Sequence, residues 1–196
     1  MKKLITVVAV FASILLSPLA SLAATYDIDV THSSMGFAVK HLQVSTVKGS
    51  FNDFTGTIAY DPADLSTFNA QVTIQVTSID TSVEARDNHL RSSDFFDAPI
   101  HPAITFVSNR LEKRGEGTVL VGDLTIRGVT KTITIPVIIS GPVQSPSGGE
   151  VIGISGQTFI NRQDFGVSWS KQLDNGGLVV EDTVNLIIEI EAAKKS

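Results

Sequence analysis

Apolar and polar side chains alternate with a period of two along most of this chain, and that periodicity commits it to sheet. Val72, Ile74 and Val76 alternate with Thr73, Gln75 and Thr77, and Val184, Leu186, Ile188 and Ile190 repeat the pattern near the C-terminus, interrupted by Ile187. Successive side chains of a strand point to opposite faces, so such runs have one buried face and one wet face. Ile133, Ile135, Val137 and Ile139 form a third run. Pro136 inside it predicts an edge, a bulge or an opening, because proline cannot donate to a neighbouring strand. Turn chemistry separates the runs at Asp61-Pro62, Arg114 to Gly117, Gly141 to Gly149 and Asp174 to Gly177. About eight strands are predicted, over residues 25–30, 34–41, 47–60, 70–79, 103–111, 119–126, 132–139 and 151–158, with 178–190 as a ninth.

An antiparallel chain of this kind closes as a barrel or packs as a sandwich. The long run 47–60 carries Gly49 and Gly56, which suit a curved strand whose glycines relieve barrel bending. The expectation is therefore an all-β antiparallel barrel of about eight strands, just wide enough for one small ligand. No composition shift or repeat divides residues 24–196, so they read as one domain.

Residues 1–23 read as a cleaved signal peptide. Lys2 and Lys3 supply its positive start, Leu4 to Leu16 an apolar stretch too short to span a bilayer, and Ser21-Leu22-Ala23 a small-residue cleavage site. The mature protein is expected in the periplasm, with no stable membrane insertion. The chain has no cysteine, so neither disulfides nor thiolate metal sites contribute. Of 15 basic residues, Lys2 and Lys3 leave with the leader; 13 then face 20 acidic ones, a formal charge of −7. That balance argues against nucleic acid and anionic membrane surfaces as partners.

One dense island of charge interrupts the β-pattern, Thr81 to Phe96 (TSVEARDNHLRSSDFF). Thr81 and Glu84 have the spacing of a capping box, which predicts a short helical insertion near residues 82–97. Arg86, His89 and Leu90 then share one helical face. Arg86, His89 and Arg91 are candidates to close one end of a cavity and meet a polar or phosphorylated headgroup. The plain alternative pairs them with Glu84, Asp87 or Asp94 as surface ions. Phe95 and Phe96 follow directly, so the island sits over something buried. Phe37, Phe51, Phe54, Phe106, Phe159, Phe165 and Trp169 join them as residues that either line a cavity or fill a core, their usual place.

Catalytic signatures such as G-x-S-x-G, H-E-x-x-H and the phosphate-binding glycine loops do not occur. His32, His41, His89 and His101 show no ligand spacing, so no metal is expected. An enzyme would have to use His89 with Asp87 or Asp94 as acid and base. A third reading is a structural, stress-related module with a solid barrel.

Glu84 to Phe96 (EARDNHLRSSDFF), Gly122 to Lys131 (GDLTIRGVTK) and Asn161 to Trp169 (NRQDFGVSW), together with His32 to Phe37 (HSSMGF) and Lys40-His41-Leu42, resemble the YceI-like family of periplasmic polyisoprenoid-binding proteins. The resemblance runs from Thr25 to Ala192 with the blocks in order; Thr132 stands where members often carry proline. It implies a lipocalin-like barrel with a helical element around a long apolar pocket. It also implies a single amphiphilic lipid with a long apolar tail, polyprenyl or quinone-type, as ligand, with no catalysis and no other cofactor. Ligand-binding residues are then expected among Phe37, Val39, Phe51, Phe54, Arg86, His89, Leu90, Arg91, Phe95, Phe96, Phe106, Phe165 and Trp169. Relatives of this shape often pair, and an opening near Pro136 would permit a homodimer.

Overall fold

Two of the long runs bend at mid-length, so the chain carries more strands than its alternation suggests. In a computed structural model, which describes residues 23–146, 148–172 and 176–195, eleven strands and one α-helix are formed. Residues 1–22 of the expected signal peptide (1–23) and Asp174-Asn175 of the last turn lie outside the described residues. Strands β1 (Ala24–Ile28) and β2 (Ser34–His41) flank a 3-10 turn at Val30–His32. The run 47–60, expected as one strand, is β3 (Ser45–Phe51) and β4 (Phe54–Tyr60). The run 70–79 is likewise β5 (Asn69–Gln75) and β6 (Ile79–Asp80), separated by a 3-10 turn at Val76–Ser78. Then follow α1 (Glu84–Arg91), β7 (Ala103–Arg114), β8 (Gly117–Ile126), β9 (Val129–Gln144), β10 (Glu150–Asn161) and β11 (Val180–Lys194).

The bends have a packing cause. Phe51 and Phe54 are three residues apart and would face opposite sides of a straight strand. The break at Asn52-Asp53 lets both enter the core, at 8% and 3% exposure. Backbone bonds from Asn52 N–H to Ser78 O (3.2 Å) and from Gln75 N–H to Asp53 O (2.9 Å) hold the two bends side by side.

Every strand pair is antiparallel. The order β1-β4-β5-β7-β8-β9-β10-β11 closes through β1 and β11, where Tyr26 lies opposite Lys194. The other half of β11 carries β2, then β3 and β6. Each bent pair is thus one long stave, and the closed barrel has eight. At the β6 end no strand continues toward β7; α1 packs against β6 there.

Pro136 marks an opening. The β9–β10 ladder runs from Gln144/Glu150 to Val137/Gly156 and stops, while both strands continue. Beyond it the Thr158 hydroxyl donates to Thr134 O (3.0 Å), a side-chain bond in place of a backbone ladder. At the other side of β9, Arg127 (φ 49°) and Gly128 (φ 74°) form the tight turn from β8, with Ile126 opposite Val129. Both central residues at positive φ match the right-handed strand twist.

Ionic chemistry pins the bend between β1 and β2. Asp29 caps the 3-10 turn, accepting from Thr31 Oγ1 (2.6 Å) and Thr31 N–H (2.9 Å), and faces His32 Nδ1 at 2.8 Å. Hydrogen bonds from Thr31 and His32 hold the Asp29 carboxyl at about 2, and Asp29 in turn raises the His32 imidazole above its ordinary 6.5. A raised histidine value means that its stabilising contribution is complete below 6.5 and is lost as pH rises through the folded-state value. Asp29→Asn should return His32 toward 6.5 in an NMR titration of its ring proton; an unmoved midpoint would contradict the pairing.

Candidate functional site: an apolar cavity under the helix

The inward halves of the alternating strands do not meet in the middle. They leave a cavity of about 200 Å³ running along the barrel. Its wall takes Met35, Phe37 and Val39 from β2, Leu120 and Leu124 from β8, Ile133 and Ile135 from β9, Ile154 and Ile160 from β10, and Leu186, Ile188 and Ile190 from β11. Leu90 of α1 and Phe95 and Phe96 from the turn after it roof one end. All lining side chains are apolar except that of Arg162. Aromatic contacts continue from wall to roof: Phe37 lies 5.8 Å from Phe51, and Phe51 meets Phe96 edge-on at 5.9 Å.

Of the residues expected at the site, Phe37, Val39, Phe51, Leu90, Phe95, Phe96, Phe106 and Phe165 line the cavity. Phe54, Arg86, His89, Arg91 and Trp169 do not. Phe54 is buried in the core at the β3–β4 bend. The two arginines bond to neighbouring backbone carbonyls and side chains of the protein itself. Arg86 donates from Nη2 to Thr81 O (2.6 Å) and from Nε to Thr81 Oγ1 (2.7 Å). Arg91 donates to Thr77 O (3.0 Å) and Ile79 O (2.7 Å). These bonds satisfy carbonyls at the point where β6 ends without a further strand, so the expected turn toward a headgroup does not occur. His89 braces the roof from outside. Its ring stands edge-on to Phe95 (5.0 Å) and Trp169 (5.2 Å), and its Nε2 lies 2.8 Å from Asp94 Oδ2.

The capping box is also absent. Val83 occupies the N-cap and makes no side-chain bond there. Ser82 turns the chain at φ 64°, and Thr81 instead gives both its N–H (2.9 Å) and its hydroxyl to Asp87 Oδ1. Asp87 is 6% exposed, a carboxylate spent on docking the helix.

Arg162 has a structural role that nothing in residue periodicity announces. It is 5% exposed and directs five N–H groups to five acceptors. Nε donates to Glu181 O (3.0 Å), Nη1 to Val167 O (2.7 Å) and Trp169 O (2.8 Å), and Nη2 to Val180 O (3.2 Å) and Asp182 Oδ1 (2.9 Å). Burial pushes its pKa down, opposed by Asp182. A guanidinium has five donors, so none is left for a guest. The aliphatic part of the wall was legible as strand but not as lining. Its signal was the parity of the alternation, read from Leu120, Leu124 and Ile126 together.

A metal has one candidate trio among the described residues, Asp29, His32 and Glu191, which lies at the β1–β2 bend and not on the cavity wall. Among the described residues no helix is long and apolar enough to cross a membrane.

An eight-staved antiparallel barrel, roofed by a short helix over an apolar cavity, defines the class of protein by its fold and site. Within it, the chain belongs to the YceI-like family, whose domain model matches residues 26–192. A UPF0312 protein of Staphylococcus aureus is 40% identical over 156 residues, covering 79% of this chain and 89% of its own. The crystal structure of BcnA from Burkholderia cenocepacia superimposes with a TM-score of 0.74 at 28% identity, over 85% of this chain and 99% of that one. A polyisoprenoid-binding domain from Saccharophagus degradans shares the fold at a TM-score of 0.64 and 17% identity, over 89% of this chain and 100% of that one.

Proposed function

We propose that this protein is a non-catalytic periplasmic carrier that holds the tail of one polyisoprenoid or similar amphiphilic lipid inside its barrel. The observation that carries the reading is the wall: apolar throughout, with its single charged side chain already fully hydrogen-bonded. An apolar tail needs no polar partner, whereas a buried headgroup without one would lose about 1–3 kcal/mol. The headgroup therefore stays at the solvent end. The polyisoprenoid-binding neighbour supports the choice of ligand class.

Magnitudes agree with firm retention. Burying one methylene-sized group is worth about 0.8 kcal/mol, so an isoprene unit offers roughly 3–4 kcal/mol before costs. Eight units would exceed the ceiling near about 20 kcal/mol for non-covalent binding, so chain ordering and partial burial must remove much of it.

An acid–base pair acting on the lipid has His89 and Asp94 in contact, but both are off the cavity wall, half exposed to solvent. The carrier reading predicts saturable binding of dansylated geranylgeranylamine, one per chain, with the probe recovered unchanged after prolonged incubation. Absence of saturation counts against the container, and a converted probe against the non-catalytic assignment.

A further inference from the structure

Two phenylalanines of the cavity wall are parked on glycines. Phe37 of β2 lies opposite Gly49 of β3, and a Cβ built on Gly49 would fall 2.4 Å from Phe37 Cζ and 2.7 Å from Cε1. Phe106 of β7 lies beside Gly122 of β8 in the same way, with Cζ 2.3 Å from where a Cβ would be. Real Cβ atoms do not approach carbon so closely, so any other residue at 49 or 122 displaces the ring. The two rings line the cavity from different staves, Phe37 on the β2–β3 wall and Phe106 on the β7–β8 wall. Behind each ring is its own strand pair, so a displaced ring has the lumen to enter.

Resting on the lipid-container reading, we propose that Gly49 and Gly122 are specificity-determining residues that set the bore of the cavity. By letting Phe37 and Phe106 lie flat, they give the lumen the width of a methyl-branched chain in place of a straight alkyl chain. A tighter lumen still admits straight methylenes and rejects the branches.

Gly49 is the better position for a test. At Gly122 a Cβ would also meet the backbone oxygen of Val107 at 2.6 Å, beside the irregular register at Ser108/Arg110, so substitution there strains the strand itself. At Gly49 the remaining close neighbour is a side chain, Thr81 Cγ2 at 2.8 Å, which Thr81→Ser removes while keeping the hydroxyl.

The experiment compares Thr81→Ser with Thr81→Ser/Gly49→Ala in full-length mature protein, titrated with dansylated geranylgeranylamine and dansylated hexadecylamine. One misplaced methylene-sized group in an apolar pocket costs 10-fold or more in affinity, so Gly49→Ala should weaken the branched probe by about tenfold. The straight probe should weaken by less than about threefold on the same scale. Adding Phe37→Leu should restore the branched probe, because leucine lacks the ring atoms that collide; a merely damaged fold would not be mended by a second core truncation. Equal losses for both probes, or no loss, overturn the bore proposal and leave the container standing. Failure of the unsubstituted protein to bind either probe overturns the container, and this proposal with it.

Discussion

Arg162→Ala is expected to lower the thermal midpoint by roughly 10 °C and to loosen the segment 167–169 from the start of β11. The buried guanidinium holds four backbone carbonyls and the half-exposed Asp182 carboxylate in one fork. Asp182 is 37% exposed and can turn to water, but each stranded part-buried carbonyl costs about 1–3 kcal/mol, so a loss of about 3–5 kcal/mol is expected for the set. In a domain of this size each kcal/mol moves the midpoint by about 2–4 °C. Arg162→Lys should recover little of it, since an ammonium offers three donors from one point and not five in a planar fork. The exposed pair Arg110–Glu112 (2.9 Å) provides the contrast. Arg110→Ala should change stability by under about 1 kcal/mol. Equal shifts for Arg162→Ala and Arg110→Ala, in parallel melts, would remove the structural role assigned to the buried guanidinium.

Asp87→Ala should release α1 from the barrel. Its carboxylate accepts both the N–H and the hydroxyl of Thr81, across the turn where β6 ends. Both donors are buried, and leaving them unpaired costs about 1–3 kcal/mol each, so a loss of roughly 3 kcal/mol is expected. The functional consequence is larger than the thermodynamic one. Leu90 roofs the cavity from this helix, and Phe95 and Phe96 hang from the turn behind it. A helix that detaches takes the roof with it, so a bound dansylated probe should leave the variant at least about tenfold faster in a stopped-flow chase, on the ordinary scale of 1.4 kcal/mol per decade. A dissociation rate matching the unsubstituted protein would show that the roof is held by something else.

The barrel was legible because its evidence is local. The even-numbered residues 184–190 announce an inward face without knowledge of any partner, and the Pro136 position gave the place where the β9–β10 ladder ends. What escaped depends on three-dimensional partners. The bend at Asn52-Asp53 exists because Phe51 and Phe54 both bury, which a one-dimensional period cannot express. Thr81 and Glu84 have capping spacing, yet Asp87 wins the threonine because Ser82 turns the chain at positive φ. Arg86 and Arg91 read as headgroup ligands by charge alone, while their bonds answer orphan carbonyls around the short strand β6. Arg162 follows the same logic. Unpaired backbone acceptors are invisible until the fold says where strands stop. Of the aromatics, Phe37, Phe51, Phe95, Phe96, Phe106 and Phe165 reach the cavity wall, Phe54 fills the core, and Phe159 points outward at 65% exposure, because the alternation along β10 puts it on the opposite face from Ile160.

Mass spectrometry of a solvent extract, taken from protein secreted and purified without detergent from a bacterial host, tests the container most directly. A hollow apolar barrel in a lipid-making cell should come away with an isoprenoid-type amphiphile near one mole per mole of chain. Repeated preparations that yield correctly folded protein and no stoichiometric amphiphile would contradict the account.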